Sequence, residues 1–354
     1  MMGHIKKGGI LTKMKALVLT APEQLSLQDV NAREPEADEI MIQVKACGIC
    51  GTDLHMFHGD KGAFENSFPL IMGHEFSGII VKTGSAVTTF KSGDHVAVDP
   101  NVYCGHCSAC LKGDVHFCEN MLGIGTTVNG GFAEYCTVKS RAAYRVPETL
   151  PFEYAAMMEP VSCCLHGIDR SNIHPGNTVA VIGFGAIGQI IFQLALCSGA
   201  ARVVVVETDA SKRSKAMQMG AALAVDPLHE DVAARVREEG ILSLDTVIEC
   251  VGKKETMEMA VGLASNRATV MLFGLTSPGA KLEILAFEQI FKKELTITGS
   301  YINPLVSQRV IDLIAAKRID LSKIVTDRIP LRDGVKAFTD QSYRSHGKIV
   351  VGDF

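Results

Sequence analysis

Four cysteines stand close together, as Cys104-x2-Cys107-x2-Cys110-x7-Cys118. Thiolate sulfur is a soft donor, and two-residue gaps let a looping backbone turn several sulfurs onto one tetrahedral zinc ion. Four thiolates leave no position for water, so the spacing predicts a closed, structural site. The rival readings are four unrelated buried thiols and an iron–sulfur cluster. Nothing else in the chain speaks for electron transfer, and the spacing favours zinc.

A second set of donors is scattered. Cys47-Gly48-Ile49-Cys50-Gly51-Thr52-Asp53-Leu54-His55 follows a strand-like run, Gly73-His74-Glu75 comes later, and Met158-Glu159-Pro160 closes a β-rich region. One Cys, one His and one Glu, distant in sequence, would form a three-ligand zinc site with its fourth position open. An alcohol oxygen bound there becomes more acidic, because the metal charge stabilises the alkoxide. Each residue is weak evidence singly: a His after Gly is more often a turn residue, and a Glu before Pro a loop charge.

The third motif is Gly183-Phe184-Gly185-Ala186-Ile187-Gly188, placed between an apolar strand and a helix. Glycines at these spacings permit a tight turn and bring a pyrophosphate against the helix N-terminus, where N–H groups and the dipole favour anions. Glu207 ends the next strand and can accept hydrogen bonds from an adenosine ribose. It would repel a 2′-phosphate, so NAD is expected over NADP. Lys212 follows, too far into its helix to reverse that preference.

The elements that must position these residues fall into two kinds. Residues 14–150 read as β-rich: Ile40, Ile42, Val44 and Ala46 alternate with Met41, Gln43 and Lys45, the period of a strand with one buried face. After Pro175-Gly176, strands at 178–183, 202–207, 222–225, 245–250, 268–274 and 295–299 alternate with helical segments, as in a parallel, doubly wound sheet. The helix after the first of these is expected to bury Ile187, Ile190, Ile191 and Leu194, with Gln189 and Gln193 recurring on one helical face. The uncharged run from Thr178 to Ala201 is long enough to cross a bilayer, but its early glycines and two glutamines fit a buried strand turning into a helix. With 354 residues, two domains are expected: 14–162 with 301–354, and 163–300.

Composition narrows the classes. Hydrophobic residues make up 47% and charged residues 21%, as in a soluble globular protein. A net charge of −4 without a basic run offers nothing to nucleic acid or anionic lipid. Residues 1–13 hold basic groups but no apolar leader, and are read as an extension or tag. A reducing cytoplasm is therefore expected, with the other cysteines (47, 136, 163, 164, 197 and 250) as buried thiols.

From Met14 onward the chain resembles the zinc-containing medium-chain dehydrogenases. Gly73-His74-Glu75-x2-Gly78-x5-Gly84-x2-Val87 matches that family's zinc signature, and the cysteine lobe has its spacing. The resemblance implies an α/β protein with a GroES-like β-rich catalytic domain and a Rossmann domain. It also implies two zinc ions per subunit and NAD. Cys50, not Cys47, falls at the catalytic ligand position and His74 at the second; Thr52 falls at the proton-relay hydroxyl and His55 at the outer relay histidine. Glu159-Pro160 is similar to the sorbitol, polyol and threonine dehydrogenase branch, where the direct carboxylate ligand is either Glu75 or Glu159; both arrangements stay open. The Arg-Tyr pair of mammalian-type sorbitol dehydrogenases reads Ser300-Tyr301 here, which leaves sorbitol in doubt but allows a smaller diol, another polyol or a sugar acid.

The implied reaction is oxidation of a secondary alcohol in the cleft between domains. The substrate proton leaves through Thr52 towards His55 by way of the cofactor ribose, and the hydride goes to NAD. The alternatives are a primary-alcohol or L-threonine dehydrogenase, a catalytically silent NAD-binding protein, and a zinc-ribbon nucleic-acid module. Retention of all the ligands speaks against silence. A lobe whose only Lys or Arg is Lys112 speaks against nucleic acid. A homo-oligomer, dimer or tetramer, is expected, with residues 294–300 as an edge strand.

Overall fold

The computed structural model describes residues 13–60, 67–340, 342–343 and 347–354. The expected extension lies outside these residues except for Lys13, which already stands in a strand. The chain divides into two compact units, one running up to Glu159 and resuming at Val325, the other spanning Pro160–Ile324.

The first unit begins with β1 (Lys13–Ala21), β2 (Gln24–Asn31) and β3 (Glu39–Gly48), then α1 (Gly51–His58), β4 (Leu70–Ile71), β5 (Glu75–Thr83) and β6 (His95–Val98). The cysteine lobe follows as β7 (Asn101–Val102), α2 (Ser108–Leu111) and β8 (Leu122–Gly123). Beyond it come β9 (Tyr135–Lys139), β10 (Ala143–Arg145) and α3 (Phe152–Ala156). β3 departs from the expected one-sided strand: Ile40, Met41 and Ile42 are all buried. β3 is a central strand, paired with β5 along most of its length and with β9 over Glu39–Gln43. From Gln43 on the expected alternation holds, with Gln43 and Lys45 half-buried and Val44 and Ala46 buried.

α4 (Met158–Asp169) carries Glu159 and Pro160 in its first turn. Pro fits there because the N–H it lacks would have no helical partner. The second unit continues as β11 (Thr178–Ile182), α5 (Ala186–Cys197), β12 (Arg202–Val206), α6 (Ala210–Gln218), β13 (Leu223–Val225), α7 (Val232–Glu238), β14 (Thr246–Glu249), α8 (Lys254–Leu263), β15 (Thr269–Leu272), β16 (Thr296–Gly299) and α9 (Ser307–Ala315). Its six strands are parallel and ordered β13-β12-β11-β14-β15-β16, the Rossmann order. The apolar run from Thr178 is thus a five-residue strand and a twelve-residue helix. No helix among the described residues is long and apolar enough to cross a membrane.

Two details of this unit differ from expectation. Ile187 is only half-buried, whereas Gln189 is buried, its Nε2 donating to the Phe184 carbonyl at 3.1 Å. The unit also extends past residue 300, to Ile324. α9 buries Val310, Ile311 and Ile314, and Arg309 pairs with Asp169, so residues 301–324 belong with the parallel sheet.

The first unit resumes with β17 (Val325–Pro330), α10 (Lys336–Thr339) and β18 (Lys348–Gly352). Its main sheet runs β10-β6-β5-β3-β18-β17, with β9 also on β3. In this register Gly48 lies opposite Glu75 on one side and Val350 on the other. The C-terminal strand is thereby brought two strands away from the Gly73-His74-Glu75 motif.

Candidate active site

The lobe cysteines converge. Their four sulfurs lie within 4.8 Å of one another. Cys107 caps α2 and Cys110 lies one helical turn on, so both sulfurs share a face. The Cys104 N–H donates to Cys118 Sγ at 3.2 Å, and the Cys107 N–H to Cys104 Sγ at 3.4 Å. The backbone N–H of His106 and its neighbours favour the thiolate of Cys104, whose pKa falls to about 6, whereas desolvation lifts Cys110 to about 12. Four convergent sulfurs with backbone N–H groups on them fit a closed zinc site.

The scattered donors also converge, in part. One donor atom each of Cys50, His74 and Glu75 lies within 4.8 Å of the others. Cys50 caps α1 just past the end of β3, and His74 immediately precedes β5. Gly73 between them has φ +92°, and a Cβ on it would meet Cys47 Sγ at 2.7 Å and Phe132 N at 2.9 Å. This gives Cys47 its place: it packs beneath the signature glycine and is not one of the three donors.

Asp53 joins two of these donors, a role the sequence left unassigned. Its Oδ2 accepts the Cys50 N–H at 2.8 Å, and its Oδ1 lies 3.3 Å from His74 Nδ1. Burial opposes a charge on His74, but the Asp53 carboxylate and the neighbouring Cys50 outweigh it and push the imidazole well above its usual pKa. The available signal was the capping pattern, an acid three residues into a helix reaching back to its cap. His74 Nδ1 and Asp53 Oδ1 are buried without hydrogen-bond partners. Together with the thiol, imidazole and carboxylate donor set, these atoms fit a metal ion.

Lys348 is the second residue missed. It is 7% exposed, and its Nζ lies 2.6 and 2.5 Å from the two oxygens of Glu75. Burial works against its charge, but Glu75 foremost, then Cys50 and Glu159, raise its pKa. Glu159 is buried and is not one of the three clustered donors. Thr52 is half-buried in the first turn of α1. His55 is exposed, with Nδ1 2.8 Å from Asp60 Oδ2.

The glycine loop opens α5 as expected. Gly183 has φ +90°, and a Cβ on Gly188 would overlap the Gly183 carbonyl, whereas beside Gly185 the space is open. No side chain caps α5 at Gly185. Glu207, just past β12, accepts the Phe184 N–H at 2.7 Å and the Asp209 N–H at 3.0 Å. Lys212 is half-buried in α6. Of the remaining cysteines, Cys197 is exposed at the end of α5, its thiol donating to the Arg318 carbonyl, and is not the buried thiol expected.

Residues 36–148 match the family "Alcohol dehydrogenase GroES-like domain" and residues 186–316 the family "Zinc-binding dehydrogenase". D-arabinitol dehydrogenase 1 of Uromyces fabae is 32% identical, over 96% of this chain and 97% of its own. 2-Dehydro-3-deoxy-L-galactonate 5-dehydrogenase of Pseudoalteromonas atlantica is 31% identical over 90% and 92%. This chain belongs to the zinc-dependent medium-chain dehydrogenases. It is therefore an oxidoreductase with a GroES-like and a Rossmann-type domain. Among solved structures of these dehydrogenases, a zinc-binding dehydrogenase of Sinorhizobium meliloti 1021 bound to NADP superposes with a TM-score of 0.92 at 38% identity, covering 96% of this chain and 99% of that one.

Proposed function

We propose that the protein oxidises a secondary alcohol of a polyol, sugar alcohol or vicinal diol with NAD. The observation that carries this reading is the cluster of Cys50, His74 and Glu75, a donor set with one thiolate, one imidazole and one carboxylate. Four donors would close a tetrahedral ion; three leave a place for a substrate oxygen. Cys50, His74 and Glu75 would hold a catalytic zinc with Glu159 outside them, and the lobe cysteines would hold a second, structural zinc. When bound, the metal would make a coordinated hydroxyl more acidic and the dinucleotide would accept the hydride.

The chain's own groups supply the rest. Asp53 orients the His74 ring and the Cys50 backbone. Thr52 offers a hydroxyl in the first turn of α1 to take the substrate proton. His55 receives it at Nε2, since Nδ1 faces Asp60, and its exposure lets it pass the proton to solvent. The α5 N-terminus and open Gly185 would seat a pyrophosphate. Glu207, held against the loop by the Phe184 N–H, keeps acceptor capacity for ribose hydroxyls and repels a 2′-phosphate. The NADP in the Sinorhizobium meliloti relative favours the second reading, an NADP enzyme.

A homotetramer is proposed on two exposed apolar regions: Phe287 and Phe291, stacked 5.6 Å apart near the edge strand β16, and Leu111 with Phe117 on the lobe. A reducing cytoplasm suits the free thiols that both metal groups require. The test is a panel of polyols, a vicinal butanediol, threonine and ethanol, each with NAD and with NADP, followed by absorbance of the reduced cofactor. Turnover of a polyol or diol with NAD is expected. Turnover of ethanol alone, or preference for NADP, would overturn the corresponding part.

A further inference from the structure

We propose that Lys348 is a positioning residue, a built-in cation that shares Glu75 with the metal and so keeps this carboxylate from closing the metal's coordination. The inference rests on the reading of Cys50, His74 and Glu75 as the metal pocket. Lys348 opens β18, Glu75 opens β5, and β3 lies between those strands. A side chain at the intervening position would separate the two. That position is Gly48, where a Cβ would overlap Glu75 Oε2 and lie 3.1 Å from Lys348 Cε. The missing side chain is the gap across which the ammonium reaches the carboxylate.

Lys348 engages both oxygens of Glu75, at 2.6 and 2.5 Å, and both residues are buried. A buried ammonium that loses its partner is strongly unfavourable, so the pair resists separation. Yet the same carboxylate is one of the three clustered donors. Glu75 therefore faces two cations. A thiolate, an imidazole and a carboxylate that faced no other cation would together bind an ion tightly. With the ammonium holding Glu75, this carboxylate is the weaker donor and its position stays exchangeable. Lys348 touches none of the reacting atoms and acts through Glu75.

The test measures zinc affinity of the full chain by competition with a chromogenic chelator, with zinc alone as the probe. Lys348→Met removes the competing cation and its repulsion of the ion, and is expected to tighten zinc binding at the pocket at least about tenfold. Lys348→Arg, which keeps a charge able to grip both oxygens, should stay within about threefold of the parent. In a Glu75→Gln background Lys348→Met should no longer tighten binding. The visible bands of the cobalt-substituted pocket should change in Lys348→Met and not in Lys348→Arg. Unchanged or weaker zinc affinity in Lys348→Met overturns the proposal, as does tightening that persists without Glu75. If metal-free Lys348→Met does not fold, release of zinc from the loaded protein into excess chelator decides: about tenfold slower release supports the proposal, and equal or faster release overturns it. Cys50→Ala separates the two layers, since retention of every bound metal in that variant would sink the pocket reading itself.

Discussion

In the lobe, all four donors come from residues 104–118, carried by one loop and a four-residue helix. In the pocket, Cys50 caps a helix, His74 and Glu75 enter a different strand, and Lys348 arrives from the far end of the chain. The lobe assembles by local geometry and could close on an ion almost unaided. The pocket exists only once β3, β5 and β18 have paired, and its donors are flanked by Asp53 and Lys348, which hold charges in place. The difference teaches that a closed site needs donors alone, whereas an open one needs a fold that keeps donors and countercharges from collapsing on one another.

The strongest way to break this contrast is Cys50→Ala. It should lower turnover at least about a thousandfold, since it removes the thiolate donor of the open site. Bound metal, counted by elemental analysis, should fall by the pocket's share, while the thermal midpoint moves little because Cys50 is not a core residue. Wild-type turnover in this variant would remove the pocket from the chemistry. Cys118→Ser tests the other side. It should release the lobe's metal and lower the thermal midpoint by about 5 °C or more. Turnover per folded, pocket-loaded molecule should fall less than about threefold. A loss matching that of Cys50→Ala would show that the lobe is not merely structural.

The same contrast explains what was legible in the sequence. The lobe and the glycine loop could be read because their chemistry is contained in short windows, and strand–helix alternation gave the parallel sheet. His74 and Glu75 were reachable through the family signature and Cys50 through the ligand position the resemblance implies, though spacing alone left them weak. Lys348 carried no local signal: it pairs with Glu75 only through sheet register, across a glycine that looks ordinary in sequence. The return of the chain at Val325 was missed for a related reason, since α9 is amphipathic in either setting and only its partners assign it to the parallel-sheet unit.

A smaller effect sharpens the contrast through acid. β3, which ends beside the pocket, begins at Glu39, whose carboxylate is buried and gripped by Arg33 at 2.6 and 3.0 Å. Burial alone would raise its pKa, but Arg33, the Glu36 N–H and Lys139 overcome it, and the value falls from 4.5 to about 2. A folded-state pKa below the unfolded one means that this stabilisation is complete above about 4.5 and disappears as the pH falls through about 2. Arg33→Ala should therefore cost about 1–2 kcal/mol at neutral pH, allowing for the half-exposed guanidinium. It should also move the acid-unfolding midpoint upward, with the gap from the parent closing below about pH 2. The lobe contains no part of this pair, so the pH at which it releases metal before the sheet unfolds should be the same in both proteins. Following unfolding by circular dichroism and metal release by chelator absorbance in one titration separates the events. If Arg33→Ala shifts lobe release as much as sheet unfolding, the lobe is not the autonomous element its geometry implies.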